Sequence, residues 1–402
     1  MMSRHILSVT ALDTWFFRDG KPMREGESAL APLETFFPPY PSTLTGAVRA
    51  ALAKANGWNG RGRWSSELRT VLGSHEDLPE NGIRVTGPIL RHGRADHAHS
   101  YFPMPLHLLG STRLGDDGIP EFEPQCFLKP GPEVVCDLGR VHLPTAEGDT
   151  ADLSNGFGFY LDAQSYIDVL AGRLPANGRC FSREAMGSLE FRLGIRRDDD
   201  TRTTGDDALY GTRHIRPSHL TELLFILEGL PEGWRLPSGL IPFGGEGRLA
   251  EIDIAQAPEL PHGPDMGDIG GCLLVLLTPA DWGLPGHKAV ADCDQPWPRP
   301  EGKVPHLPGV RIVSACVEKA IRLGGWCTFA RGKAKDGIED GPSPLSLRPL
   351  VPAGSALWCR IEDASALRPH IADGLVRIGH RRASGFGLAV IAPWNDQGVE
   401  TK

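Results

Sequence analysis

The sequence predicts an α+β protein built on antiparallel sheets, with long excursions between short elements. Three observations predict it. Apolar runs are short and bounded by turn residues, with 49 Gly and 35 Pro among 402 residues. Several runs alternate or are joined by turn dipeptides such as Asp19-Gly20. A long helical stripe occurs in one place, Leu44, Ala47, Val48, Ala51, Leu52 and Ala55. At roughly 100–200 residues per domain, the length suits two or three domains.

Taken in order, Ile6 to Phe17 reads as a strand that closes in a turn at Asp19-Gly20. Phe37-Pro38-Pro39-Tyr40-Pro41 excludes helix, because each proline restricts the residue before it. A helix follows, with Ser42 or Thr43 as its cap and Asn56-Gly57 as its stop. Ile83 to Leu90 and Tyr101 to Leu109 read as strands. Gly110 to Asn155, rich in Pro, Gly and acids, reads as an irregular insertion, and Phe159 to Leu170 as a short helix. Leu189 to Arg197 and Ala208 to Arg216 flank the polar stretch Asp198 to Asp206, the pattern of a long hairpin. Leu220 to Leu230 fits a buried strand or a short helix equally. Cys272 to Thr278 reads as a central strand and Asp281 to Gly309 as a Pro/Trp/Gly-rich loop. The last strands fall near Ile312 to Val317, Ser355 to Ile361 and Gly385 to Ala392.

Composition narrows the function classes. The eight cysteines include no pair at zinc-ribbon or C-x-x-C spacing, and they are too sparse for a disulfide scaffold. They read as reduced thiols in a cytoplasmic protein. No signal-peptide pattern opens the chain, and no apolar run approaches the ~20 residues of a membrane span. The net charge of −8 argues at first against a nucleic-acid partner. Local counting reverses that. Residues 41–69 hold five Lys/Arg against one Glu, and residues 311–335 hold six against one. The stretch Glu251 to Asp268 holds five acids and no Lys or Arg.

Several segments carry candidate chemistry. His92, His97 and His99 near Asp96 admit a metal site or a solvated turn. Gly244-Gly245-Glu246-Gly247-Arg248 is neither a Walker loop nor a dinucleotide fingerprint. It still offers close backbone approach, free N–H groups and one guanidinium, which suits a phosphate backbone. A plain tight turn fits equally. Gly324-Gly325-Trp326 offers a stacking plane or a core anchor. Arg381-Arg382-Ala383-Ser384-Gly385-Phe386-Gly387 joins two guanidiniums to a Gly-rich turn, and a solvated turn with a closing hairpin fits equally. Arg49, on the helix begun by Ser42 and Thr43, admits a phosphate at the helix start, although an ordinary cap is the commoner meaning. No nucleophile elbow or zinc-protease motif is present.

In sequence, these motifs resemble one family. Asp13-Thr14-Trp15-Phe16-Phe17-Arg18-Asp19-Gly20-Lys21-Pro22 resembles its opening strand-turn. Phe37 to Arg49 resembles its Pro-rich entry to the first helix, and Leu193-Gly194-Ile195-Arg196 with Leu209-Tyr210 its central hairpin. Phe243 to Arg248, Gly324-Gly325-Trp326 and Val351-Pro352-Ala353-Gly354-Ser355 resemble its later motifs. Cys327 departs from the pattern, standing where an acid is expected. The family is that of subunit three of the Cmr complex, the type III-B CRISPR effector, within the RAMP superfamily.

The resemblance implies two ferredoxin-like (RRM-like) domains, residues 1–210 and 211–402, elaborated by insertions and a thumb-like hairpin. It implies a non-catalytic RNA-binding subunit with no cofactor or metal. Such a subunit holds the 5′ repeat-derived handle of the guide RNA. It docks the large polymerase-like subunit and the first backbone subunit. Arg–phosphate forks, backbone N–H groups and aromatic planes would hold the single strand. The residues assigned to this role are Arg18, Lys21, Ser42, Thr43, Arg49, Arg196, Arg202, Tyr210, Gly244, Gly245, Gly247, Arg248, Gly325, Trp326, Arg381 and Arg382. The superfamily also contains metal-independent endoribonucleases that process repeat RNA. That alternative needs a general base or acid, and His214 and His380 are its candidates. The plainer reading of each is a solvated histidine among arginines.

Overall fold

The computed structural model describes residues 3–20, 32–73, 78, 82–94, 97–137, 139–176, 179–195, 197, 200–204, 209–267, 270–283, 297–327, 343–344 and 346–395. The chain divides into two compact units, each assembled from three segments. The first comprises Met1–Pro88, Met186–Gln256 and Arg322–Arg348, and the second Ile89–Ala185, Ala257–Ile321 and Pro349–Lys402. A boundary between residues 210 and 211 falls inside the strand Leu209–Pro217.

The first unit is built around the strand Arg4–Ala11. It pairs antiparallel with Thr221–Glu228 on one side, Leu7 opposite Phe225, and with Leu249–Ile254 on the other, Val9 opposite Ile252. The neighbour order is Arg84–His92, Thr221–Glu228, Arg4–Ala11, Leu249–Ile254, Gly239–Pro242. Thr221–Glu228 is a strand because its apolar run is buried almost without interruption, a pattern that periodicity cannot separate from helix. The helix Pro41–Ala55 buries Leu44, Val48 and Leu52 completely. Each such side chain contributes roughly 1.5–3 kcal/mol. The N-cap of this helix is Tyr40, not Ser42 or Thr43. Pro41 takes the first helical position, where its missing N–H costs nothing.

The second unit centres on Gly271–Leu276, every residue of which is buried. It pairs antiparallel with Ala356–Ile361 and with Leu388–Trp394. The order is Lys303–Val304, Leu307–Cys316, Ala356–Ile361, Gly271–Leu276, Leu388–Trp394, Leu375–Arg377. The stretch Gly110 to Asn155 is not irregular. It forms the strands Leu108–Leu114, Pro120–Phe127, Lys129–Cys136 and Gly139–Thr145. Their prolines are tolerated because these are two- and three-stranded sheets, in which most strands are edges and need not donate on both sides. Phe159 to Leu170 splits into a buried strand, Phe159–Asp162, and a helix, Ala163–Leu170. Asp162 caps that helix by accepting from the Ser165 N–H at 2.7 Å.

Among the described residues, no helix is long and apolar enough to cross a membrane. His92 packs edge-on against Tyr101, and His99 lies 3.9 Å from Glu259. No group of metal-ligating side chains is present among the described residues.

Candidate nucleic-acid interface

The opening strand-turn sets the first unit's site. After Ala11 the chain crosses the hairpin, and Trp15 exchanges both backbone hydrogen bonds with Ile215 at 2.8 and 2.9 Å. Trp15 and Phe17 point inward and pack with Phe37 and Phe243. Their burial leaves the preceding Asp13 half-exposed at the surface.

Three arginines converge on Asp13. Arg216 Nη1 lies 2.8 Å from Oδ1, while Arg192 Nη2 and Arg248 Nη1 lie 2.9 and 3.3 Å from Oδ2. Glu190 bridges two of the same guanidiniums, at 2.6 Å from Arg192 and 2.7 Å from Arg216. The strand period explains the cluster. Glu190 and Arg192 alternate along Gly187–Ile195, and their cross-strand partners His214 and Thr212 share that face with Arg216. Arg192 foremost, with Arg216, holds the Asp13 carboxyl below its usual range, and Arg216 foremost does the same for Glu190. Three cations therefore share two carboxylates with N–H donors to spare, and Glu246 of the adjoining loop brings a third carboxylate to the site. Their forks are set before any anion arrives.

The glycine-rich loop packs beside this cluster. The Gly245 N–H donates to the Phe16 carbonyl at 2.8 Å, so it is not among the free donors the sequence suggested. Gly244 has φ +86°, and a Cβ there would stand 2.6 Å from the Phe16 oxygen. Gly247 has φ +64° with open space at its Cβ position. The Tyr210 hydroxyl donates to Glu246 at 3.1 Å, and burial with that carboxylate pushes its phenol up. Arg248 Nε is buried with no hydrogen-bond partner among the described residues. Gly244→Ala is expected to cost about 1–3 kcal/mol, the price of a strained left-handed residue, read as a lowered urea midpoint. An unchanged midpoint would show that the loop does not depend on this contact.

Of the residues expected from sequence, Tyr210, Gly244, Gly245, Gly247 and Arg248 come together here. Arg192, Arg216 and Asp13 were missed, although the alternation of charge along the hairpin carried the signal. Arg18 is exposed on the same opening segment and bridges to Thr35. Arg202, at the hairpin tip, is exposed with φ 55°. Ser42 and Thr43 are half-buried in the first helical turn. Arg49 is buried, its guanidinium 5.2 Å from the Trp64 ring, so it does not face solvent beside the helix start. Gly325 is exposed. The neighbouring Arg322 carbonyl accepts from the Tyr40 hydroxyl at 3.1 Å and closes on Gly20, bringing three motifs to one place. Arg381 and Arg382 belong to the second unit. Arg381 has φ 59° and lies 4.8 Å from the Phe386 ring, half-buried rather than solvated. Lys21, Arg196 and the Trp326 side chain lie outside the described residues.

His214 is not a solvated histidine. It is 1% exposed, stacked on Phe16, and both ring nitrogens meet threonine hydroxyls, Thr14 at 3.2 Å and Thr212 at 3.0 Å. Burial, reinforced by Arg248 and Arg192, lowers its pKa. A ring with both nitrogens engaged away from solvent has no free edge for a ribose hydroxyl. His380 packs edge-on against His306 in the second unit.

Comparison with known proteins adds one decisive match. The family model described as CRISPR-associated protein (Cas_Cmr3) matches residues 7–394. The chain belongs to this Cmr3 family. It is thus a structural subunit of a type III CRISPR effector complex, as its motif order suggested. The Cmr3-family chain is also similar to solved structures at low identity. One is a type III-B Cmr-beta complex bound to cognate target RNA and AMPPnP, with 14% identity, 88% of this chain and 86% of that chain covered, and TM-score 0.41. Another is the same type of complex bound to cognate target RNA, with 14%, 89%, 86% and 0.40. A third is a Csm3–Csm4 subcomplex of a type III-A interference complex, with 9%, 88%, 92% and 0.35. No curated protein matches.

Proposed function

We propose that this subunit holds the 5′ repeat-derived handle of the guide RNA without cutting it, and docks the large polymerase-like subunit and the first backbone subunit. One observation carries the reading. The family's glycine-rich loop and central hairpin meet the opening strand-turn in a single surface, where Arg192, Arg216 and Arg248 are held ready by Asp13 and Glu190. Exposed glycines beside pre-oriented guanidiniums suit a sugar-phosphate strand, and Tyr210 adds an aromatic plane. Target sequence would then be read by guide pairing, which leaves this chain only the handle to recognise.

The strand orders favour two ferredoxin-like bodies. Arg4–Ala11, Arg84–His92 (of which the first unit takes the residues up to Pro88), Thr221–Glu228 and Leu249–Ile254 stand in the spatial order second, third, first, fourth. Gly271–Leu276, Leu307–Cys316, Ala356–Ile361 and Leu388–Trp394 repeat that order in the second unit. The hairpin Gly187–Ile195 and Leu209–Pro217 is the proposed thumb.

Arg216→Ala combined with Arg248→Ala removes two forks without emptying the core. Each lost charge-assisted contact is worth about 1.5–3 kcal/mol, so guide retention in the purified complex is expected to fall at least ~tenfold. Full guide content and unaltered nuclease protection of the handle in that variant would end the assignment. Specific cleavage of repeat RNA by the purified chain in EDTA, lost in His214→Ala, would establish the endoribonuclease reading instead.

A further inference from the structure

A second surface of the first unit has a different chemistry. It lies beyond the C-terminal end of the helix Pro41–Ala55, about 22 Å along the axis from the helix start at 1.5 Å per residue. The connecting loop reads Asn56-Gly57-Trp58-Asn59-Gly60-Arg61-Gly62-Arg63-Trp64. Two indoles, two guanidiniums and three glycines thus fall within nine residues.

The loop is built rather than loose. Trp58 and Trp64 pack edge to face, with ring centroids 6.1 Å apart. Trp58 Nε1 donates to the Arg61 carbonyl at 3.0 Å, and Asn59 Oδ1 accepts from the Arg61 N–H at 2.9 Å. Arg49 supports the Trp64 ring from the helix. Asn56 fastens the base of the loop to a neighbouring turn, donating to the Arg235 carbonyl at 3.0 Å and accepting from its N–H at 2.9 Å. Gly57, Gly60 and Gly62 all have positive φ, and a Cβ at Gly57 or Gly62 would meet nothing within 4 Å. The glycines therefore serve the turn and leave the outer side of the loop open.

Charge and exposure agree. Both indoles are half-buried, and Lys54, Arg61, Arg63, Arg69 and Arg235 of these segments are exposed, as are Glu67 and Glu232. Among the described residues, Lys54, Arg61, Arg69 and Arg235 form no ion pair. A core-packing role explains Arg49 and the inner ring edges. It does not explain two exposed arginines set between two partly exposed indoles.

We infer that this loop is a second, sequence-independent site for single-stranded RNA, holding phosphates on Arg61 and Arg63 and stacking bases on Trp58 and Trp64. Base–indole stacking is sequence-tolerant, and guanidiniums on short glycine-spaced turns track a backbone. The inference stands independently of the handle assignment.

The test uses the full chain and fluorescein-labelled oligouridine, which forms no structure, followed by anisotropy across a salt series starting near about 50 mM. The wild type is expected to bind, with quenching of tryptophan fluorescence. Arg61→Ala/Arg63→Ala is expected to bind ~tenfold or more weakly. Its logarithmic salt dependence should be shallower by about 1.4, the value for two phosphates on a single strand. Both side chains are exposed, and the unfolding midpoint is measured alongside so that a loss of fold is not read as a loss of binding. Combined with Arg216→Ala/Arg248→Ala, the Arg61/Arg63 changes should lose affinity additively, as distant independent sites do, which separates the two surfaces. No binding by the wild type would overturn the proposal, as would equal affinity and equal salt slope in the Arg61/Arg63 variant. If that variant binds oligouridine normally yet fails to enter the effector complex, the loop is a protein contact and the RNA site is refuted.

Discussion

Trp15→Ala is expected to destabilise the first unit by about 3–5 kcal/mol, the range for emptying a buried large aromatic site. Trp15 is fully buried among Phe17, Phe37 and Phe243. Its backbone also ties the opening segment to the hairpin through Ile215. The cavity would therefore open beneath Asp13 and loosen the junction on which three guanidiniums converge. Urea unfolding would read the loss, and guide retention should fall with it even though Trp15 touches no solvent. Trp15→Phe separates packing from any polar role. It keeps a ring and removes an indole N–H that finds no partner among the described residues, so its cost should be clearly smaller. Equal losses for the two variants would mean that the aromatic packing is not what seats the segment.

His107 should make the second unit acid-sensitive. It is buried between Phe127 and Trp358, and burial lowers its pKa from 6.5 to about 4. The native state refuses a proton that the unfolded chain accepts. Stability from this residue is therefore complete above pH 6.5 and is lost as pH falls from 6.5 toward 4. Over that window the loss amounts to about 3 kcal/mol at 1.36 kcal/mol per pKa unit. Carboxylates also titrate in the lower part of this range, so the quantity to measure is the difference between wild type and His107→Leu. That difference should shrink or change sign by about 3 kcal/mol between neutral pH and pH 4. Parallel pH profiles would refute the account.

Much of the fold was legible in the sequence because its signals were local. The helical stripe from Leu44 to Ala55 and the apolar run at Cys272 needed no distant partner to be read. The insertion after Gly110 was misread because proline vetoes a central strand, and nothing local says that a strand will lie on an edge. The cap at Tyr40 was misread because Ser42 and Thr43 are better cappers than tyrosine. The prolines at 38, 39 and 41 fix the chain's entry and override that preference. In the candidate site, the glycine loop and Arg248 were found by motif, whereas Arg192 and Arg216 required the hairpin register. Arg49 shows the limit most plainly. A cation on a helix says nothing of its exposure until Trp64, fifteen residues later, is seen to fold over it.

The interleaving of segments has a consequence during synthesis. The central strand Gly271–Leu276 takes Leu388–Trp394 as one of its two neighbours, and the first unit takes in residues up to Arg348. Pairing across so many residues is slow, because loop-closure entropy is paid before the contacts return it. Translation at about 5–20 residues per second presents the first half of the chain many seconds before either unit can close. The emerging polypeptide must therefore wait, with unpaired strand edges, for its last hundred residues. Neither half of the protein can be expected to fold as an independent fragment.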